Sequence, residues 1–125
     1  MISVDTTGGQ KVDTLAFEPA RYSPEEIETF RPLRALLRRA IKASDFALLG
    51  RAATASAWIN ERFLPKPRLT DIETIGVCHG AVGVQVAHSG TVVGLMFDPA
   101  NEKTSDNMER AMHDLRKSGF EPSIV

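Results

Sequence analysis

The stretch Ala81-Val82-Gly83-Val84-Gln85-Val86-Ala87-His88-Ser89-Gly90-Thr91-Val92-Val93-Gly94-Leu95-Met96-Phe97 decides the fold class. Val82, Val84 and Val86 alternate with small or polar residues, and so do Val93, Leu95 and Phe97. A period of two places each set on one face of a strand. The residues around Ser89-Gly90-Thr91 supply turn chemistry, so the segment is predicted to be an antiparallel hairpin. The opposite face carries Gly83, Ala87 and Gly94. Small residues on a strand face let another segment approach the backbone closely.

Helical patterns flank this hairpin. Ser23-Pro24 is a helix start, since serine can cap and proline suits the first helical position. Leu33, Leu36, Leu37, Ala40 and Ile41 then follow helical spacing, although Pro32 is expected to kink or restart the helix. Asp45 is a cap for a second helix over 46–63, whose many alanines predict close packing against a neighbouring helix. Pro65 and Pro67 end it. Thr70 is the expected cap of a third helix ending near Gly80. Beyond the hairpin, Thr104, Ser105 and Asp106 offer caps for a helix to Ser118, with Met108, Ala111, Met112 and Leu115 as its apolar stripe. Phe120 to Val125 reads as a last strand, and Pro122 favours a sheet edge for it. At the other end, Ile2 to Val4 and Val12 to Phe17 are strand-like, joined by the turn residues Thr6 to Gln10.

Strand, helices, strand, strand, helix, strand is the order of an α+β, ferredoxin-like split β-α-β fold with an antiparallel sheet, here with extra helices. The 125 residues fit one domain. A net charge of −1 gives no electrostatic case for nucleic acid or an anionic membrane. No apolar run is long enough to span a bilayer. The single cysteine, Cys78, rules out an internal disulfide and suits a reducing cytoplasm. Arg31, Arg34, Arg38, Arg39 and Lys42 read as the solvated face of a helix.

Chemistry-bearing residues are few. No phosphate-binding glycine motif is present. Cys78, His79, His88, His113 and Asp98 do not have metal-ligand spacing, so no metal site is expected. Cys78 reads as a buried thiol, and His79 as a helix-end histidine suited to the helix dipole. His88 and Ser89 are adjacent, so on a strand they point to opposite faces and cannot form a hydrolase pair. No catalytic residue is assigned. The tip His88-Ser89-Gly90-Thr91 gathers hydroxyls, an imidazole and free backbone N–H groups. It can support an anion or serve only as a turn.

The run Gly83 to Leu95 resembles the C-terminal glycine-containing motif of GHMP-type small-molecule kinases. More narrowly, it is similar to the propanediol-utilisation-type L-threonine kinases that serve cobalamin synthesis. Val12-Asp13-Thr14-Leu15-Ala16-Phe17, Arg31-Pro32-Leu33-Arg34-Ala35-Leu36-Leu37 and Asn60-Glu61-Arg62-Phe63-Leu64-Pro65-Lys66-Pro67 extend the resemblance in order along the chain. It implies a two-domain cytoplasmic enzyme that moves the γ-phosphate of ATP to an alcohol. The family's N-terminal domain holds ATP with Mg²⁺, and its C-terminal domain is ferredoxin-like. On that reading residues 1–17 are N-terminal strands at an inter-domain junction, and 18–125 are the C-terminal kinase domain. His88, Ser89, Gly90 and Thr91 would line the substrate and phosphate cleft, with Gly83, Ala87 and Gly94 as close-packing positions. The resemblance also implies that the ATP-binding domain is a partner, that this chain alone holds no cofactor and is inactive, and that an uncovered interface favours homo-oligomers. The other readings are a stand-alone ferredoxin-like module that senses a small ligand, and a plain assembly domain.

Overall fold

A computed structural model describes residues 1–6, 23–61, 68–86 and 92–125. Among them, four strands and four helices follow in the order β1 (Ile2–Asp5), α1 (Pro24–Ala43), α2 (Phe46–Asn60), α3 (Leu69–Cys78), β2 (Gly83–Val86), β3 (Val92–Met96), α4 (Thr104–Lys117) and β4 (Pro122–Ile124). The strands form one antiparallel sheet in the order β2-β3-β1-β4. β3 lies between β1 and β2, which is the split β-α-β arrangement. The fold is therefore the α+β class read from the element order. The strand-like run Val12 to Phe17 and the turn before it lie outside the described residues.

The hairpin register explains the core. Val84 pairs with Leu95 and Val86 with Val93, while Ile2 and Val4 of β1 pair with Leu95 and Val93. Paired residues share a face, so these side chains form one apolar surface. α3 and α4 cover it with Leu69, Ile72, Ala111, Met112 and Leu115. Ile2, Val4, Val93, Leu95, Ile72 and Leu115 are fully buried. The Ile2–Asp5 part of the 1–17 segment is thus sheet interior, paired on both sides. The boundary at residue 17 lies outside the described residues. β4 is the outer strand beside β1, and its proline needs no ladder donor there.

Helix ends follow local chemistry, with corrections. Asp45 caps α2 as read: its carboxylate accepts from the Leu48 N–H at 3.1 Å. Gly80 and Gly119 close α3 and α4 with positive φ of 85° and 93°. Pro32 does not divide α1, which runs unbroken from Pro24 to Ala43. Pro32 is exposed, so water can satisfy the carbonyl that its ring leaves without a donor. Thr70 is not the cap of α3. Arg68 holds that position in the left-handed conformation, at φ 61°. Its Nε donates to Asp71 at 2.9 Å, Nη1 donates to the Ser118 carbonyl at 2.5 Å, and the guanidinium lies 4.4 Å from the centre of the Phe120 ring. One side chain thereby ties the start of α3 to the end of α4. α2 ends at Asn60, short of the expected 63, and residues 62–67 lie outside the described set.

Candidate functional site

The β2–β3 hairpin positions the sequence motif. Its last described pair is Val86 with Val93, and five residues separate Val86 from Val92. Those residues, Ala87, His88, Ser89, Gly90 and Thr91, lie outside the described residues. What the structure gives is the base of the hairpin and the segments that hold it.

The small residues at that base have specific neighbours. Gly83 meets Gly50 of α2 backbone to backbone: a Cβ on Gly83 would lie 2.6 Å from the Gly50 Cα, and one on Gly50 would lie 3.0 Å from the Gly83 nitrogen. No side chain fits at either position. Gly94, on the same sheet face, lies under flexible groups instead. Its Cβ would be 2.8 Å from the Met1 sulfur and 3.1 Å from the Gln85 Cγ.

The close approach lets α2 seal the outer edge of β2. The Thr54 hydroxyl donates to the Gly50 carbonyl at 2.8 Å and accepts from the Val84 N–H at 3.0 Å. A side chain thus replaces the missing neighbouring strand. The alanine-rich helix therefore packs closely on a strand as well as on α1. Sequence reading gave Gly50 and Thr54 no role. The available signal was the small residue Gly50 at the start of an alanine-rich helix. Its partner lies over thirty residues away and cannot be inferred from local spacing.

A cavity of about 370 Å³ opens beside the hairpin, between α1, α2 and the outer sheet face. Leu33 and Leu37 of α1, Ala53 and Asn60 of α2, and Gln85 and Met96 of the sheet line it. It is apolar with a polar rim, the character of a ligand cleft or of a surface that another segment covers.

Among the described residues the titratable groups do not assemble a reaction centre. Among the described residues no group of three or more His, Cys, Asp and Glu is placed to hold a metal ion. Cys78 is exposed, so the buried-thiol reading is corrected: the last turn of α3 directs it to solvent. His79, the C-cap of α3, has its Nε2 at 2.6 Å from Asp114 Oδ2 on α4. An ionised carboxylate only accepts, so the imidazole N–H donates. That hydrogen bond is the largest cause holding the Asp114 carboxyl below its usual value, with the charges of His79, His113 and Lys117 acting in the same sense. The pair joins α3 to α4 on the far side of the core from the cavity, which fits a structural link. No helix among the described residues is long and apolar enough to cross a membrane.

The sheet order and the helices on it define an α+β domain of the ferredoxin-like class. The chain matches the family described as "GHMP kinases C terminal" over residues 37–119, well over half its length. It belongs to that family. A stretch of 50 residues is 48% identical to the L-threonine kinases of Salmonella typhimurium and Citrobacter freundii. That stretch covers 40% of this chain and 17% of each relative, so the chain matches a small part of those proteins. The fold is similar to that of a homoserine kinase from Cytophaga hutchinsonii, with a TM-score of 0.62 at 12% identity, over 98% of this chain and 38% of that one.

Proposed function

We propose that this chain is the C-terminal domain of a kinase that transfers the γ-phosphate of ATP to the hydroxyl of L-threonine, in propanediol utilisation and cobalamin synthesis. The observation that carries the proposal is the 48% identity to two L-threonine kinases, within a chain of the GHMP kinase family. The threonine oxygen attacks the γ-phosphorus, the bond from that phosphorus to the β,γ-bridging oxygen breaks, ADP leaves, and the hydroxyl proton passes to solvent. Such transfer depends on positioning and charge stabilisation.

In this reading an N-terminal domain of the family holds ATP and Mg²⁺, and this domain closes the cleft. His88, Ser89, Gly90 and Thr91 form the wall nearest the phosphates or the substrate, projecting from the hairpin that α2 anchors at Gly83. Ala87 keeps that wall thin enough for close packing, and Gly94 does the same at the hairpin base, where the side chains of Met1 and Gln85 lie over it. Ile2–Asp5 belongs to this domain's sheet, so in this reading the domain includes that strand, and the segment up to residue 17 adjoins the nucleotide-binding half. The enzyme works in the cytoplasm, where ATP is available, without nucleic acid or membrane.

Thermal unfolding of the isolated chain tests this against a stand-alone sensor. The kinase-domain reading predicts that neither L-threonine nor ATP alone raises the melting temperature. A shift saturating with L-threonine, with no ATP requirement, would favour the ligand-sensing module.

A further inference from the structure

The cavity of about 370 Å³ beside the hairpin has a structural origin and a one-sided charge. Leu33, Arg34 and Leu37 line it from one side of α1; at helical spacing they fall within a sector of roughly 100°. Ala53, Ser56 and Ala57 line it from α2, at the spacing that keeps helical residues on one face. These short side chains do not reach the leucines, so a space remains where larger residues would close it. Gln85 of β2 belongs to the sheet-side wall. A space of this size falls in the range of small-molecule sites and far exceeds the voids of a packed interior. Arg34 is the one ionisable residue in the described lining; the others are apolar, hydroxyl or carboxamide. Neither Arg34 nor Gln85 has a hydrogen-bond or ion-pair partner among the described residues. Arg38, one turn further along the same side of α1, adds positive potential at the rim.

We propose that this cavity binds a medium-chain aliphatic carboxylate. Its chain lies against the leucines of α1 and the alanines of α2, which removes apolar surface from water on both sides. Its carboxylate accepts hydrogen bonds from the Arg34 guanidinium, with the Gln85 carboxamide as a second donor. The planar fork of a guanidinium matches a carboxylate in bidentate fashion. Arg34 shares its side of α1 with Leu33 and Leu37, so one ligand engages the charge and the apolar wall together. A single lining cation suits a single negative charge, and a phosphate dianion would keep charge unmatched. An α-amino acid brings an ammonium group, and the described lining offers no carboxylate to receive it. A short acid such as acetate would leave most of the apolar wall in water. The inference goes beyond the kinase reading and does not rest on it.

Titration calorimetry of the full chain with octanoate as the probe tests the proposal. Saturable binding is expected, with 1-octanol and octylamine each weaker and acetate not bound. Arg34→Gln should weaken octanoate roughly three- to tenfold, the loss of one partly solvated charged hydrogen bond, and leave 1-octanol unchanged. Arg34 is exposed, so this variant should melt as the wild type does. Ala53→Leu puts carbon into the cavity and should abolish binding of both octanoate and 1-octanol. Its added atoms enter open space, so its unliganded melting curve checks that it is folded. No saturable octanoate binding overturns the proposal. So does octanoate binding that octylamine matches, since Arg34 then selects nothing. Binding that survives both substitutions also overturns it, because the site then lies elsewhere. None of these results bears on phosphoryl transfer, so failure here and failure of the kinase reading are distinguishable.

Discussion

Gly50 of α2 and Gly83 of β2 meet with no room for a side chain on either, and through this approach the helix reaches the sheet edge. Alanine in place of an ordinary helical glycine stabilises by about 1 kcal/mol. At Gly50 the sign should reverse. Gly50→Ala and Gly83→Ala are each expected to destabilise by about 1–3 kcal/mol, because the obstructing atoms are backbone and cannot rotate away. Gly94→Ala is the control. Its neighbours are side-chain atoms of Met1 and Gln85 rather than backbone, so its cost should stay below about 1 kcal/mol. Urea unfolding of the three variants checks the order.

The Thr54 hydroxyl serves two backbone groups, the Gly50 carbonyl and the Val84 N–H. Thr54→Val keeps the shape and removes both bonds. The Val84 amide is buried, and leaving it unpaired should cost about 1–3 kcal/mol. Thr54→Ser keeps the hydroxyl and should lose much less. Amide exchange at Val84 should accelerate in the valine variant and stay protected in the serine variant.

Much of this fold was legible in the sequence. Val84, Val86, Val93 and Leu95 announce the hairpin through their alternation, and the helix stripes show where it is covered. Asp45 as a cap and Pro122 at an edge were also readable, because each acts within a few residues of itself. The rest depended on distant partners. Arg68 caps α3 without cap chemistry because Ser118 and Phe120, about fifty residues away, hold its guanidinium. The Gly50–Gly83 approach is of the same kind. Pro32 misled because a local rule about helix breaking does not know which face is wet. Of the candidate site, Gly83 meets the Gly50 backbone and Gly94 lies under the side chains of Met1 and Gln85, while Ala87 to Thr91 rest on the family motif.

The His79–Asp114 pair should make stability depend on acid. The folded-state carboxyl of Asp114 is held below its usual value of 3.8, first by the His79 hydrogen bond. A depressed carboxyl stabilises the fold above its unfolded value, and the benefit is lost as pH falls from near 3.8 through the lower folded value. Asp114→Asn should therefore melt lower than the wild type at neutral pH, and the two curves should converge below 3.8. Melting temperatures of both proteins across that range check the convergence.

Glycine at the hairpin tip should matter to catalysis more than to folding. In a complete enzyme carrying this domain, Gly90→Val is expected to lower kcat/KM by about tenfold or more, by blocking backbone approach to the phosphates. Its melting temperature should change little. Wild-type kinetics in that variant would remove the tip from the cleft.

The most direct test of the central claim is phosphoryl transfer itself. This chain, combined with an N-terminal nucleotide-binding domain of the family, should release ADP from Mg²⁺–ATP when L-threonine is supplied. The release should depend on both domains, and kcat/KM should be higher for L-threonine than for L-serine or L-homoserine. No L-threonine-dependent ADP release from a folded, associated pair would contradict the account.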